Sequence, residues 1–170
     1  MKTIMSRLGA AMLLSCFGAS SLAFGQDTIR HAIPGSDFPI SRAVEVPDNA
    51  TVVYLSGAVP SVINEAADPK SLDAFGNTEA QTVSVLRSIE ATLSDLNLKM
   101  GDVFKMQVFL VAPDGTDGMD FAGFMAGYTQ FFGPENQPHL PVRSVFEVAG
   151  LANPAWLVEI EVTAVRHAAP

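Results

Sequence analysis

Hydrophobic positions recur along this chain with two periods, every second residue in some stretches and every third or fourth in others, and the switches mark its elements. Residues 40–46 predict a first strand, and 51–56, rich in β-branched and aromatic residues, a second, with Pro47-Asp48-Asn49 as the turn between them. In 78–97 Val83, Leu86, Ile89, Leu93 and Leu96 draw one apolar stripe along a helix, which Asn77 or Thr78 can cap and which stops near Asn97. Residues 103–111 alternate Phe104, Met106, Val108 and Leu110 against Lys105, Gln107 and Phe109, a third strand. Helical spacing returns in 119–132 through Phe121, Phe124, Met125, Tyr128 and Phe132, ending at Gly133-Pro134. The segments 57–77 and 113–118 read as loops.

The stretch 139–166 predicts two more strands, adjacent in one half-buried sheet. In 143–151, Phe146 and Val148 share one side and Arg143, Val145, Glu147 and Ala149 the other. In 157–165, Val158, Ile160, Val162 and Ala164 share one side, and Glu159, Glu161 and Thr163 the other. This reading puts one arginine and three carboxylates, Arg143 with Glu147, Glu159 and Glu161, on the face turned away from the helices. That face is the candidate active face.

Strand, strand, helix, strand, helix, strand, strand describes an α+β fold, one sheet with two helices on one face, and 170 residues suit one domain. Val145, Ala149, Phe109 and Val53 or Tyr54 leave the open face partly apolar, which marks an interface and predicts an oligomer.

The first 25 residues change the picture of where this domain works. Lys2 and Arg7 precede the apolar and small-residue run 8–22, and Ala23-Phe24-Gly25 follows, the pattern of a signal peptide cleaved after Gly25. The run is shorter than the about 20 apolar residues of a membrane span. Periplasmic or secreted export is the expectation, with no membrane attachment after cleavage. A second reading takes Leu13-Leu14-Ser15-Cys16 as a lipobox, leaving a lipid on Cys16. Cleavage after Gly25 removes Cys16, the single cysteine, and with it any thiolate chemistry. It also removes Lys2 and Arg7 and no acid, so 10 basic residues become 8 against 18 acidic, a net charge of −10. Such a surface repels phosphate backbones, so no nucleic-acid partner is expected. Residues 26–39, with charges, Gly and prolines, read as an arm without regular structure.

Several short segments resemble one known family. Pro141-x-Arg143-Ser144 before a hydrophobic strand, an Asn/Pro turn, then Val158-Glu159-Ile160-Glu161-x-x-Ala164 look like the C-terminal signature of the Rid family, also called YjgF/YER057c/UK114. Tyr54-Leu55-Ser56-Gly57 and Asp120-Phe121-x(6)-Tyr128-x(2)-Phe131-Phe132 resemble further family segments in the right order, so the likeness covers roughly 38–166. The resemblance makes 40–168 a Rid-like domain. It implies a chorismate-mutase-like fold, a homotrimer with sites in the clefts between subunits, and hydrolysis of enamines or imines to ketones and ammonia.

The resemblance also assigns roles. Arg143 would bind a substrate carboxylate, for which a guanidinium fork is well shaped. Taken bare, an arginine opening a strand reads as a surface charge or ion-pair partner. Glu159 would position or activate water as ammonia leaves, although a glutamate on an alternating strand is by itself a solvated group. Ser56 and Gly57 would bring main chain close to the ligand, where glycine permits close approach, and Val145 would contribute backbone. Three positions depart from the deaminase subgroup: Ile40 stands where it has tyrosine, Ala58 where it has glutamine and Met125 where it has asparagine. The polar shell around the arginine has thinned, which suits a more apolar substrate or a trimer that binds small carboxylates without turnover. No cofactor is required, since water and one acid/base group suffice. His31, His139 and His167 show no ligand spacing, so no metal site is expected, and no nucleophile-elbow, P-loop or dinucleotide motif occurs.

Overall fold

The computed structural model describes residues 27–167 apart from 134 and 136. The expected signal peptide, the lipobox Cys16, the cleavage point after Gly25 and the helix-ending Pro134 lie outside the described residues. Two β-branched and alternating stretches pair first: β1 (Ile29–Ala32) and β2 (Ser41–Glu45) form an antiparallel hairpin of their own. The arm read as irregular therefore contains a strand. Arg30 ties this hairpin down, its guanidinium donating to the carbonyls of Gly101 at 2.9 Å, Val103 at 3.2 Å and Leu140 at 3.2 Å.

A second sheet is built from β3 (Thr51–Tyr54), β6 (Val158–Arg166), β4 (Val103–Leu110) and β5 (Val142–Glu147), in that spatial order. The pairs are antiparallel except β4 with β5, which run parallel because the chain crosses through α3 (Phe121–Tyr128) between them. The last two strands are thus not adjacent, as the sequence reading had them: β4 lies between. A hairpin turn does not decide pairing when a parallel neighbour is available.

One face of this sheet carries α2 (Thr78–Asp95) and α3. Val108 and Leu110 of β4 and Val158 and Ile160 of β6 are fully buried there against Leu86, Ile89, Phe124 and Tyr128. Asn77 caps α2, its side chain accepting from the Ala80 N–H at 2.9 Å. The helix ends at Asp95; Asn97, two residues on, has the left-handed φ of 56° that asparagine tolerates, and Leu98 N–H closes back on the Leu93 carbonyl at 2.8 Å. The buried stripe of α2 differs from the expected one: Val83 is half-buried and Leu96 is 38% exposed, while Val85 and the polar Thr78, Gln81 and Thr82 are buried.

Gln81 explains that polar end. Its amide donates to the Gly76 and Ala155 carbonyls at 3.0 and 2.9 Å and accepts from Leu157 N–H at 2.7 Å, so a fully buried side chain is satisfied on both ends. It pins the start of α2 to the entry of β6. The long loop 57–77 also holds a short helix, α1 (Leu72–Phe75), whose Phe75 meets Trp156 edge-on with ring centroids 6.4 Å apart. No helix among the described residues is long and apolar enough to cross a membrane.

Candidate functional site

The site residues fall into two groups, and register decides which face each group takes. Parallel pairing sets Arg143 beside Met106 and Val145 beside Val108, and both neighbours are buried on the helix side. Antiparallel pairing sets Glu159 beside Phe109 and Glu161 beside Gln107, on the open side. Arg143 and Glu159 therefore face opposite sides of the sheet within one chain, which corrects the expectation that they share the open face. Glu147 goes with Arg143: its carboxylate accepts the Met119 N–H at 2.8 Å, at the entrance to α3. A period of two says which residues of a strand share a side; only the partner strand says which side it is.

Arg143 sits in an enclosure of rings. Its guanidinium carbon lies 4.2 Å from the centroid of Tyr128, 5.0 Å from Phe124 and 5.4 Å from Phe38, and one N–H group points at the Met125 sulfur, 3.3 Å away. Such cation–π contacts are individually modest and grow when water is excluded. The other terminal nitrogen is buried and has no hydrogen-bond partner, and no carboxylate pairs with this arginine among the described residues. Burial lowers the guanidinium's pKa from its ordinary value, opposed by the nearby Tyr128. Burial likewise pushes the Tyr128 phenol well up, against the pull of Arg143, so it stays a neutral hydroxyl, which donates to the Pro39 carbonyl at 2.8 Å.

The strand that carries Arg143 is fixed at its start. Ser41 donates twice across the junction of the two sheets, from its N–H to the Pro141 carbonyl at 2.9 Å and from its hydroxyl to the Leu140 carbonyl at 2.7 Å. Beyond this clamp the hairpin and β5 diverge. A cleft of about 630 Å³ opens there, lined on the β5 side by Val142, Arg143 and Ser144. Val145 is not among its walls; its side chain packs against the core.

The second group lies along β6 and the segment after β3. Ala58 and Ile160 exchange backbone hydrogen bonds of 2.9 and 3.0 Å, which holds Gly57 against the open-face side of β6. The Glu159 carboxylate lies over Gly57 so closely that a methyl group there would collide with it. Glycine lets the carboxylate approach the main chain here, its φ being unexceptional. Ser56 and Gly57 also line a groove of about 500 Å³ that runs to Ser88 and Thr92 of α2. Ser56, Gly57 and Glu159 thus come together, Arg143 and Val145 share the other face, and the two groups stay apart. Tyr128 and Phe38 belong with Arg143 and were missed as site residues: spacing marked Tyr128 as core, and only its hydroxyl hinted at more. Among the described residues no three His, Cys, Asp or Glu side chains gather as metal ligands.

Both helices on one face of a mixed sheet place the chain in the α+β class. The family model described as endoribonuclease L-PSP matches residues 32–166. The 2-iminobutanoate/2-iminopropanoate deaminase of Salmonella typhimurium is 34% identical over 128 residues, 75% of this chain and 90% of that protein. The protein of the same name from Escherichia coli is 32% identical over 128 residues, with the same coverage. Of solved structures, Escherichia coli TdcF with bound serine matches with a TM-score of 0.53 and 28% identity, over 75% of this chain and 94% of that one. The Rid-family protein YyfB of Yersinia pestis matches with a TM-score of 0.55 and 25% identity, over 75% and 87%. The chain belongs to this family, the Rid or YjgF family.

Proposed function

We propose that the protein hydrolyses 2-imino or enamino acids to 2-keto acids and ammonia, at clefts completed between copies of the chain in a homotrimer. The observation that carries this reading is a largely buried guanidinium with no carboxylate beside it among the described residues: one terminal nitrogen of Arg143 has no hydrogen-bond partner, and the group is surrounded by three rings, the Tyr128 hydroxyl and the Met125 sulfur. A buried cation in that state costs several kcal/mol until an anion reaches it, and a substrate carboxylate is such an anion. The named deaminase relatives support the chemistry, and TdcF with bound serine supports a small carboxylate ligand.

In the reaction, water adds to the imine carbon and one of its protons passes to nitrogen; the hydroxyl so formed gives up the second proton, nitrogen takes it, the C–N bond breaks and ammonia leaves a ketone. Glu159, free of hydrogen-bond partners among the described residues, is the group for that proton traffic. Because it faces away from Arg143 in its own chain, the carboxylate that meets a given Arg143 comes from a neighbouring copy, together with Ser56 and Gly57. No cofactor takes part. The excess of acidic over basic residues favours a small organic anion over an RNA backbone as partner. Residues 1–25 support export to the periplasm or the exterior.

The test is to generate 2-aminoacrylate enzymatically, add the mature protein, and follow ketoacid or ammonia release against Arg143→Ala. Acceleration that the variant loses is the expected result; a wild type that does not accelerate the reaction rejects the deaminase. A second reading, a binding trimer without turnover, is favoured by one contact: the Met125 sulfur already takes one Arg143 N–H, in a shell with no second polar side chain but Tyr128. It predicts 2-ketoacid binding without acceleration.

A further inference from the structure

Residues 27–167 contain no cysteine, so the sulfur chemistry of this domain rests on its methionines, Met100, Met106, Met119 and Met125. Met100 and Met106 are buried, whereas Met119 and Met125 are half-buried. Met125 stands out by one contact. Its sulfur accepts an Arg143 N–H at 3.3 Å, from a guanidinium whose other terminal nitrogen has no partner. The main chain behind that sulfur is held as well, since the Met125 carbonyl accepts from the N–H and the hydroxyl of Thr129 at 3.0 and 2.9 Å. A thioether is a weak acceptor, so the guanidinium keeps nearly all of its charge for an incoming anion. A sulfoxide in its place is polar, with an oxygen that accepts strongly.

We propose that Met125 is an oxidation site, and that its sulfoxide oxygen engages the Arg143 guanidinium and so competes with a ligand carboxylate. The competition rests on the reading that Arg143 receives a carboxylate; the oxidation and the new hydrogen bond do not. The oxidant is a small peroxide, which the partial exposure of Met125 admits. One lone pair of the sulfur faces the Arg143 N–H, and the other takes the distal oxygen of hydrogen peroxide. The O–O bond breaks, the departing oxygen takes the proton of the transferred one, and water leaves. Sulfur is oxidised and peroxide reduced by two electrons each. Methionine sulfoxide reductases, one for each sulfoxide epimer, reverse the step.

The test treats the full chain with hydrogen peroxide, maps its methionine peptides by mass and titrates pyruvate by calorimetry. Met125 is expected to gain one oxygen while Met100 and Met106 remain unchanged. Pyruvate affinity is expected to fall by roughly ten- to hundredfold, the worth of a hydrogen bond to a charged group. The two reductases together restore it, and in Met125→Leu peroxide leaves the affinity of that variant where it started. Met125 unmodified when Met119 is fully converted, complete oxidation of Met125 with unchanged affinity, or an equal fall in Met125→Leu overturns the proposal. Untreated protein that binds no pyruvate removes the carboxylate reading, and the guanidinium nitrogen resonances of isotope-labelled protein then decide. The Arg143 signal, assigned by its loss in Arg143→Lys, shifts on oxidation and returns on reduction if the sulfoxide engages it; a signal that stays in place overturns the proposal.

Discussion

The two faces of the four-stranded sheet hold their charges in opposite ways. On the helix side Arg143 is enclosed by Phe38, Phe124 and Tyr128, and its environment is fixed by packing. On the open side Glu159 lies over a glycine at the sheet surface, where nothing among the described residues bonds it. Enclosure makes a cation expensive and pre-aimed, which suits recognition. Openness leaves a carboxylate able to exchange protons, which suits catalysis. A single chain thus separates the two groups, and on the proposed function a second copy joins them.

Substitutions at four positions probe this division, from the largest effect to the smallest. Glu159→Gln keeps the shape and removes the base, and lowers kcat by about 10²–10⁴-fold with ketoacid binding retained; loss of binding instead would put the carboxylate on the recognition side. Arg143→Ala weakens ketoacid binding by about 1.5–3 kcal/mol, the worth of a hydrogen bond to a charged group, in a titration that the wild type calibrates. Gly57→Ala pushes on the Glu159 carboxylate and lowers kcat with little change in binding or melting temperature; an unchanged kcat would show that the carboxylate's position over Gly57 is irrelevant. Tyr128→Phe keeps the ring under Arg143 and deletes the bond to the Pro39 carbonyl, costing about 1 kcal/mol in denaturant unfolding. Ligand affinity should fall less than it does in Tyr128→Leu, which also removes the ring.

Much of the fold was legible. Alternation in 103–111 marks β4, Asn77 marks the start of α2 and Asn97 the turn just past its end, because caps and periods are local signals. What the local pattern lacks is the neighbour. Arg143 and Glu147 share a side as read, but β5 lies parallel to β4, and that register turns their side toward the helices and leaves Phe146 to stack on Phe109 outside, 6.0 Å between centroids. Hydrophobicity pointed the other way, since Phe146 reads as a core residue. Gln81 is hidden for a related reason: a glutamine on a helix says nothing of the three backbone groups that wait for it until the turn before β6 is in place. For the candidate site, the motif segments named the residues, and only the topology sorted them into two sets.

Subunit mixing tests the shared site most directly. Chains carrying Arg143→Ala and chains carrying Glu159→Gln are each inactive alone on this account, and are co-expressed with separate tags so that mixed oligomers can be purified. In the proposed trimer, where every interface joins one copy's Arg143 to the next copy's Glu159, one site in each purified mixed oligomer regains both groups, so imine hydrolysis returns to about a third of the wild-type level. Mixed oligomers that form and stay inactive would contradict a site shared between copies.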